Sequence, residues 1–171
     1  MLKAHIISEN GDKIEEILHD FLISRNLTIS TAESCTGGEL SHLITSVSGS
    51  SNYFLGGTCT YQTQKKTEIL GVSEDLIKEK TVVSAEVAQA MSLGCQKLFK
   101  TDIALSTTGV AGPNSDEFNS EIGTVFYSIR VKDFEKTFRL YLPHLERKDF
   151  MNFVSQKVLQ DLIQILIQEN L

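Results

Sequence analysis

Residues 31 to 38, Thr31-Ala32-Glu33-Ser34-Cys35-Thr36-Gly37-Gly38, mark a turn from a strand into a helix. Residues 27–31 before the turn alternate as a β-strand does, and the apolar residues within 40–47 recur at helical spacing. A hydroxyl at such a turn lies beside the unpaired N–H groups of the helix, and two glycines let a ligand approach the backbone. The turn at Ser34 is therefore a candidate site for binding an anion or stabilising an oxyanion.

A second interpretation of the same stretch is purely structural. Ser34 or Thr36 would then serve as a helix N-cap, and Gly37 and Gly38 would only give clearance for packing. Short turns rich in glycine and serine are common in proteins, so this stretch alone does not decide between the two interpretations.

Length and charge limit the possible classes of protein. A chain of 171 residues with 41% hydrophobic content is enough for one compact domain, which we expect to span residues 1–171. A net charge of −6 argues against sequence-independent binding to nucleic acid or to an anionic membrane. The chain has no apolar run of membrane-spanning length and no secretory leader at residues 1–8, which predicts a cytoplasmic protein.

The cysteines and histidines do not indicate a metal site. Cys35, Cys59 and Cys95 are odd in number and far apart, so they predict reduced thiols rather than a disulfide framework or a zinc site. The four histidines lack the spacing of metal ligands as well. We therefore expect no metal site formed by cysteine or histidine.

Helices and strands alternate along most of the chain. The predicted helices cover 12–24, 36–47, a short segment after the N-cap Ser73, 84–100 and a last segment from about 146; the predicted strands cover 27–31, 53–61, 103–107, 122–130 and 134–142, and Gly71 is a predicted C-cap. The last two strands are expected to form a hairpin, and the acidic segment 114–121 a mobile surface loop. The pattern predicts a three-layer α/β/α sandwich with a mixed, mostly parallel sheet.

Three polar clusters are predicted to meet at one edge of this sheet: Ser34 with residues 36–38, Tyr61 with Lys66, and Thr107-Thr108-Gly109. A serine nucleophile needs a base, and no histidine is placed to serve. Burial can lower the pKa of Lys66 enough for it to act as that base, with Tyr61 relaying a proton or orienting the lysine.

Three questions remain open at this point. Lys65 and Lys66 are both compatible with solvated charges on a helix surface. Cys35 is a weaker candidate nucleophile than Ser34. Glu33 is either a buried hydrogen-bond acceptor or ordinary polar packing near the turn.

Several motifs together resemble the C-terminal domain of the CinA competence-damage-inducible proteins. They are the stretch 31–38, Gly49-Ser50-Ser51 with Tyr53-Phe54, Tyr61 followed by Lys66, Leu70-Gly71-Val72, Val83-Ser84, Gly109-Val110-Ala111-Gly112-Pro113 and Gly123-Thr124-Val125. The resemblance covers nearly the whole chain, and the first and sixth motifs are highly specific. Full-length members carry a further N-terminal domain, so this chain resembles the stand-alone form.

The resemblance implies the activity of a nicotinamide-nucleotide amidase, which hydrolyses nicotinamide mononucleotide to nicotinic acid mononucleotide and ammonia. It implies that Ser34 is the nucleophile and Lys66 its general base, with Tyr61 beside them. The implied substrate-binding residues are Thr36, Gly37, Gly38, Ser51, Thr108, Gly109 and Arg147, with Arg147 on the substrate phosphate. The family also implies a homodimer and a reaction without a cofactor.

The chain departs from the family pattern near the implied phosphate site. The loop 114–121 is more acidic than usual and lacks a lysine, and residues 62–65 and 145–146 replace other family motifs. Added negative charge weakens phosphate binding. Two alternatives therefore stay open: a non-catalytic nucleotide- or partner-binding module linked to competence or DNA damage, and an amidase for a related carboxamide.

Overall fold

The computed structural model describes residues 13–169. Its helices are α1 (Ile14–Arg25), α2 (Glu39–Thr45), α3 (Thr63–Leu70), α4 (Glu74–Lys80), α5 (Ala85–Phe99) and α6 (Arg147–Gln168). Its strands are β1 (Ile29–Glu33), β2 (Phe54–Cys59), β3 (Ile103–Gly109), β4 (Thr124–Val131) and β5 (Phe134–Tyr141). Two predictions fall on residues 1–12 and lie outside the described residues: the start of the first helix, and the expectation that no secretory leader is present.

The strands form one sheet in the order β2-β1-β3-β4-β5. β1 lies parallel to both β2 and β3, whereas β3 with β4 and β4 with β5 are antiparallel pairs. Four strands therefore run in one direction and β4 runs against them. This arrangement confirms the predicted mixed sheet, and the antiparallel β4–β5 pair confirms the predicted hairpin.

Helices cover both faces of the sheet, which confirms the three-layer sandwich. One hydrophobic cluster joins α1, α2 and α6 to residues such as Leu105, and the other joins α3, α4 and α5 to residues such as Ala104. Every residue of β1 is buried, as are residues 103–108 of β3. Central strands with both faces covered are typical of parallel α/β sheets. None of the helices described within 13–169 is long and apolar enough to cross a membrane.

Local sequence signals placed several helix ends correctly. The hydroxyls of Ser73 and Ser84 accept hydrogen bonds from the N–H groups of Leu76 (3.4 Å) and Val87 (3.3 Å) at the starts of α4 and α5. Gly71 ends α3 with a φ of 68°. The prediction for α2 was too long, because residues 34–38 form a separate turn and the helix begins at Glu39.

The carboxyl ends of β1, β2 and β3 lie at the same edge of the sheet because the three strands are parallel. Ser34, Thr60 and Val110 follow these strands directly. Ligands of open α/β sheets bind at this edge. The fold thus places the chemistry-bearing residues of the sequence where a ligand site is expected.

Candidate active site

Ser34 lies on the tight turn between β1 and α2. Its carbonyl accepts a hydrogen bond from the Gly37 N–H at 3.1 Å, and Gly37 and Gly38 have φ angles of 62° and 103°. Glycine adopts this left-handed region without the steric cost that other residues incur. The turn leaves Ser34 8% exposed, facing a cavity.

The Glu33 carboxylate fastens the same turn from inside. It accepts hydrogen bonds from the N–H groups of Gly38 (2.9 Å), Leu40 (3.1 Å) and Ser41 (2.7 Å) and from the hydroxyls of Thr36 (2.7 Å) and Ser41 (2.6 Å). Glu33 is fully buried, so the structure identifies it as the buried acceptor rather than as ordinary polar packing. The N–H groups at the start of α2, where the sequence predicted an anion site, are thus taken by the protein's own carboxylate.

Lys66 reaches Ser34 from the first turns of α3. Its ammonium donates hydrogen bonds to the Ser34 hydroxyl at 3.0 Å and to the Thr60 carbonyl at 2.7 Å. The side chain is 1% exposed, and burial lowers the pKa of Lys66 to about 8. The surface-charge interpretation is therefore wrong for Lys66, whereas Lys65 is exposed and pairs with Glu68.

A cavity of about 220 Å³ opens beside the Ser34–Lys66 pair. Tyr61 and Arg147 both line it, and the Arg147 guanidinium donates to the Tyr61 hydroxyl and, at 3.0 Å, to the Gly112 carbonyl. Tyr61 is 54% exposed and hydrogen bonds with Arg147, not with Ser34 or Lys66. Tyr61 therefore lines the cavity as expected, but its hydrogen-bond partner is Arg147 rather than the Ser34–Lys66 pair.

The remaining predicted site residues divide into three groups. Thr108 and Gly109 line the cavity, and the Thr108 hydroxyl donates to the Val82 carbonyl at 2.7 Å. Thr36, Gly37 and Gly38 shape the turn but do not line the cavity. Ser51 lies before β2, in a 3₁₀ turn at the opposite edge of the sheet from Ser34, so this chain by itself does not bring Ser51 to the site.

Several residues that line the cavity were not predicted as site residues. They are Thr63, Val82, Val83, Asn114, Ser115 and Asp116. Asp116 accepts hydrogen bonds from the N–H and hydroxyl of Ser120, both at 2.8 Å, and Glu117 accepts one from the Thr63 hydroxyl at 2.6 Å. Hydrogen bonds therefore hold the acidic loop 114–121 both internally, between Asp116 and Ser120, and to Thr63 at the start of α3. For Asn114, Ser115 and Asp116, the departure of residues 114–121 from the family pattern was the signal that could have placed them at the cavity.

Cys35 also lines the cavity, but its chemistry differs from that of Ser34. Burial raises the pKa of Cys35 to about 12, so its thiol stays protonated near neutral pH. A neutral thiol is a poor nucleophile, which removes the weaker alternative. Within residues 13–169, no group of three or more His, Cys, Asp or Glu side chains is arranged to hold a metal ion.

The fold and the site define an α/β/α domain with a buried serine–lysine pair at the carboxyl edge of its sheet. The model of the family described as "CinA C-terminal domain" matches residues 11–166, and the chain belongs to this family. The resemblance deduced from the motifs is thereby confirmed.

Individual relatives agree with this assignment. A CinA-like protein of Flavobacterium psychrophilum is 50% identical over 121 residues, which cover 71% of this chain and 29% of that protein. The chain spans less than a third of the length of such curated relatives.

Solved structures match over nearly their full length. The CinA superfamily protein of Escherichia coli has a TM-score of 0.88 at 26% identity, covering 97% of this chain and 95% of that one. Competence damage-inducible protein A of Klebsiella pneumoniae has a TM-score of 0.87 at 26% identity, covering 91% of this chain and 96% of that one. This likeness confirms the α/β sandwich.

Proposed function

We propose that this chain is an amidohydrolase that converts nicotinamide mononucleotide to nicotinic acid mononucleotide and ammonia. The observation that carries the proposal is the 3.0 Å hydrogen bond from the Lys66 ammonium to the Ser34 hydroxyl, made by a lysine that is 1% exposed. A buried lysine with a lowered pKa can act as a general base for serine. Family membership supports the same choice of reaction.

In the proposed reaction, neutral Lys66 accepts the proton of the Ser34 hydroxyl as Oγ attacks the carboxamide carbon. The C–N bond then breaks, and the ammonium of Lys66 gives its proton to the departing NH2 group, which leaves as ammonia. Water next attacks the acyl-enzyme ester and loses a proton to Lys66, which passes it to Ser34 Oγ as the ester bond breaks. Nicotinic acid is released and loses its carboxyl proton to solvent, and Ser34 has regained its hydroxyl. In this scheme Ser34 forms the covalent bond to the substrate, and Lys66 carries the protons between Ser34, the departing amine and water.

The oxyanion of the tetrahedral intermediate needs hydrogen-bond donors near Ser34. Glu33 takes the N–H groups of Gly38, Leu40 and Ser41. We therefore assign the oxyanion to the N–H groups of Cys35 and Thr36, which belong to the turn but are not donated to Glu33. This assignment replaces the predicted use of the helix start.

Arg147 is the proposed phosphate contact. Its guanidinium lines the same cavity, and its partners there, the Gly112 carbonyl and the Tyr61 hydroxyl, are both neutral. These partners orient the guanidinium without cancelling its charge, which suits it to a phosphate. Tyr61 then belongs to substrate positioning rather than to proton transfer. The homodimer that the family implies remains a prediction.

The experiment that tests the proposal is ammonia release from nicotinamide mononucleotide by the intact protein, beside Ser34→Ala and Lys66→Ala. We expect turnover that both variants lose. Nicotinamide riboside, which lacks the phosphate, is the matched substrate control and should show a raised KM. Nucleotide binding without ammonia release would instead favour a binding module, and equal turnover of both substrates would favour a different carboxamide.

A further inference from the structure

We propose that Thr107 is a positioning residue of the amidase site, which fixes the backbone of Ser34 through a chain of hydroxyls that ends at Glu33. The inference rests on the proposed function, since it concerns how the nucleophile is held. Thr107 lies on β3, the strand next to β1, and it does not line the cavity. Its effect on the reaction therefore has to pass through the turn at Ser34, where it contacts Ser34, Cys35 and Thr36.

Three hydrogen bonds make up the chain, and all of their side chains are buried. The Thr107 hydroxyl lies 3.4 Å from the Ser34 backbone nitrogen and 2.8 Å from the Thr36 hydroxyl. The Thr36 hydroxyl in turn donates to the Glu33 carboxylate at 2.7 Å. The chain thus begins at Ser34, ends at the neighbouring Glu33 and passes through Thr107 on a different strand.

The direction of each hydrogen bond follows from the number of protons. A threonine hydroxyl has one proton, and Thr36 gives its proton to the carboxylate of Glu33. The bond between the two threonines must then carry the proton of Thr107. The Thr107 oxygen keeps a lone pair, which accepts the N–H of Ser34.

This direction matters for the chemistry. Because the one proton of the Thr107 hydroxyl goes to Thr36, its oxygen can only accept the hydrogen bond from the Ser34 N–H. The Ser34 N–H held toward β3 fixes the peptide plane that leads into Ser34. The turn that carries the N–H groups of Cys35 and Thr36 therefore starts from one orientation. These are the donors assigned to the oxyanion, and their placement affects the transition state more than the bound substrate.

The neighbouring Ser106 provides a matched control. Its hydroxyl is also fully buried on β3, but it donates to the Ala88 carbonyl on α5, at 2.6 Å. Ser106 and Thr107 alternate across the sheet, so loss of the Ser106 hydroxyl removes a buried hydrogen bond of the same strand without touching the turn.

The test compares Thr107→Val, Thr107→Ser and Ser106→Ala in steady-state hydrolysis of nicotinamide mononucleotide. Valine keeps the shape of threonine but cannot accept the Ser34 N–H. We expect kcat to fall about tenfold in Thr107→Val, the effect of one lost buried hydrogen bond, with KM unchanged. Thr107→Ser should recover kcat, and Ser106→Ala should keep both parameters.

Three outcomes overturn the inference: kcat within twofold of the intact protein in Thr107→Val, an equal loss in Thr107→Ser, or a change confined to KM. If Thr107→Val does not fold, Thr107→Ala removes the same hydroxyl and is compared with Thr107→Ser, with the same expected results. Thermal unfolding of each variant identifies a loss due to misfolding.

A second readout separates this inference from the proposed function. Phenylmethanesulfonyl fluoride forms a sulfonate ester on an activated serine and releases fluoride, and intact mass measures the rate at Ser34 without any nucleotide. If nicotinamide mononucleotide is not hydrolysed but Ser34 is sulfonylated, the proposed substrate is wrong and the Thr107 variants are compared by this rate. If Ser34 reacts with neither, the positioning role is overturned as well.

Discussion

The Nζ of Lys66 lies 3.0 Å from the Oγ of Ser34, although 32 residues separate the two along the chain. The parallel pairing of β1 with β2 brings them together, since Ser34 follows β1 and Lys66 follows β2 by way of α3. The same packing removes the lysine from water, and burial is the main cause that lowers its pKa to about 8. The same packing therefore both places Lys66 beside Ser34 and lowers its pKa.

We predict that kcat/KM for amide hydrolysis rises with pH through a limb near pH 8. Lys66 accepts a proton from Ser34 only when it is neutral, and its neutral fraction grows as the pH passes its pKa of about 8. Initial rates of ammonia release between pH 6 and 10 measure the limb.

The adjacent lysine is the control for this profile. Lys65 is exposed and pairs with Glu68, so Lys65→Ala should keep the limb and the rate. Lys66→Arg should abolish the rate at every pH, because a guanidinium does not deprotonate. A rate that is flat between pH 6 and 10 in the intact protein would contradict the assignment of Lys66 as base.

We predict that Ser34→Ala lowers kcat by at least about a thousandfold, as loss of a nucleophile does, and lowers the thermal unfolding midpoint by only about 2–4 °C. The Ser34 side chain accepts one hydrogen bond, from Lys66, whose loss costs about 1 kcal/mol. The neighbouring Cys35→Ala should keep most of the activity, since that thiol stays protonated. Equal losses in the two variants would mean that the turn, rather than the Ser34 hydroxyl, had been damaged.

We predict that Lys66→Met stabilises the protein at pH 7. The pKa of Lys66 falls from 10.5 to about 8 on folding, so keeping the buried ammonium charged costs about 3 kcal/mol below pH 8. Methionine avoids this cost but loses the hydrogen bonds to Ser34 and Thr60, worth about 1 kcal/mol each. A net gain of about 1 kcal/mol in the free energy of unfolding is expected.

The stability difference between Lys66→Met and the intact protein should depend on pH, which identifies the buried charge as its cause. The unfolded state binds more protons than the folded state between pH 8 and 10.5, so the intact protein gains stability relative to Lys66→Met as the pH rises through that window. Urea unfolding of both proteins at pH 7 and pH 10 measures the difference. A difference that does not change between the two pH values would show that Lys66 is not strained by burial.

Sequence reasoning predicted the architecture because each element carries its own signal. The hairpin of β4 and β5 follows from alternation, and the N-caps Ser73 and Ser84 follow from their position before apolar periods. Burial of particular polar groups carries no such signal. Lys65 and Lys66 are chemically identical in the sequence, and only the folded structure shows that Lys66 turns toward Ser34 and Thr60 while Lys65 stays exposed.

Two further features of the site needed the three-dimensional structure. Glu33 lies inside the motif that located the turn, but its five hydrogen bonds depend on where α2 begins, and the predicted start was three residues early. Ser51 is close in the sequence to β2 but precedes the strand, which places it at the far edge of the sheet. Proximity along the chain does not specify which end of a strand a residue occupies.

We predict that Glu117→Gln moves the basic limb of the pH–rate profile to lower pH. The Glu117 carboxylate raises the pKa of Lys66 electrostatically, against the larger effect of burial. Glutamine removes the negative charge and still accepts the hydrogen bond that the Thr63 hydroxyl donates at 2.6 Å. The loop therefore stays in place and only its charge changes.

Glu121→Gln is the matched control for Glu117→Gln, because it removes a charge from the far end of the same loop. Glu121 lies 3.9 Å from Arg139, away from the cavity-lining residues. Its variant should keep the limb of the intact protein. A limb that moves to higher pH in Glu117→Gln would overturn the electrostatic argument, and equal movement in both variants would show that the effect is not local.

We predict that Gly94→Ala destabilises the protein and impairs the active site. Gly94 lies inside α5, where alanine would normally favour the helix by about 1 kcal/mol. An added Cβ would, however, lie 2.0 Å from the carbonyl oxygen of Leu70, the last residue of α3. The close approach of the two helices therefore requires glycine, and overpacking there costs about 1–3 kcal/mol.

The activity of Gly94→Ala tests whether α3 sets the position of the base. Lys66 lies one turn before Leu70, so a displaced α3 lengthens the contact between Nζ and Ser34 Oγ, and kcat should fall more than the loss of stability at the assay temperature explains. Urea unfolding and ammonia release on the same preparation measure both effects. A variant that is more stable than the intact protein and equally active would show that α3 and α5 separate without cost.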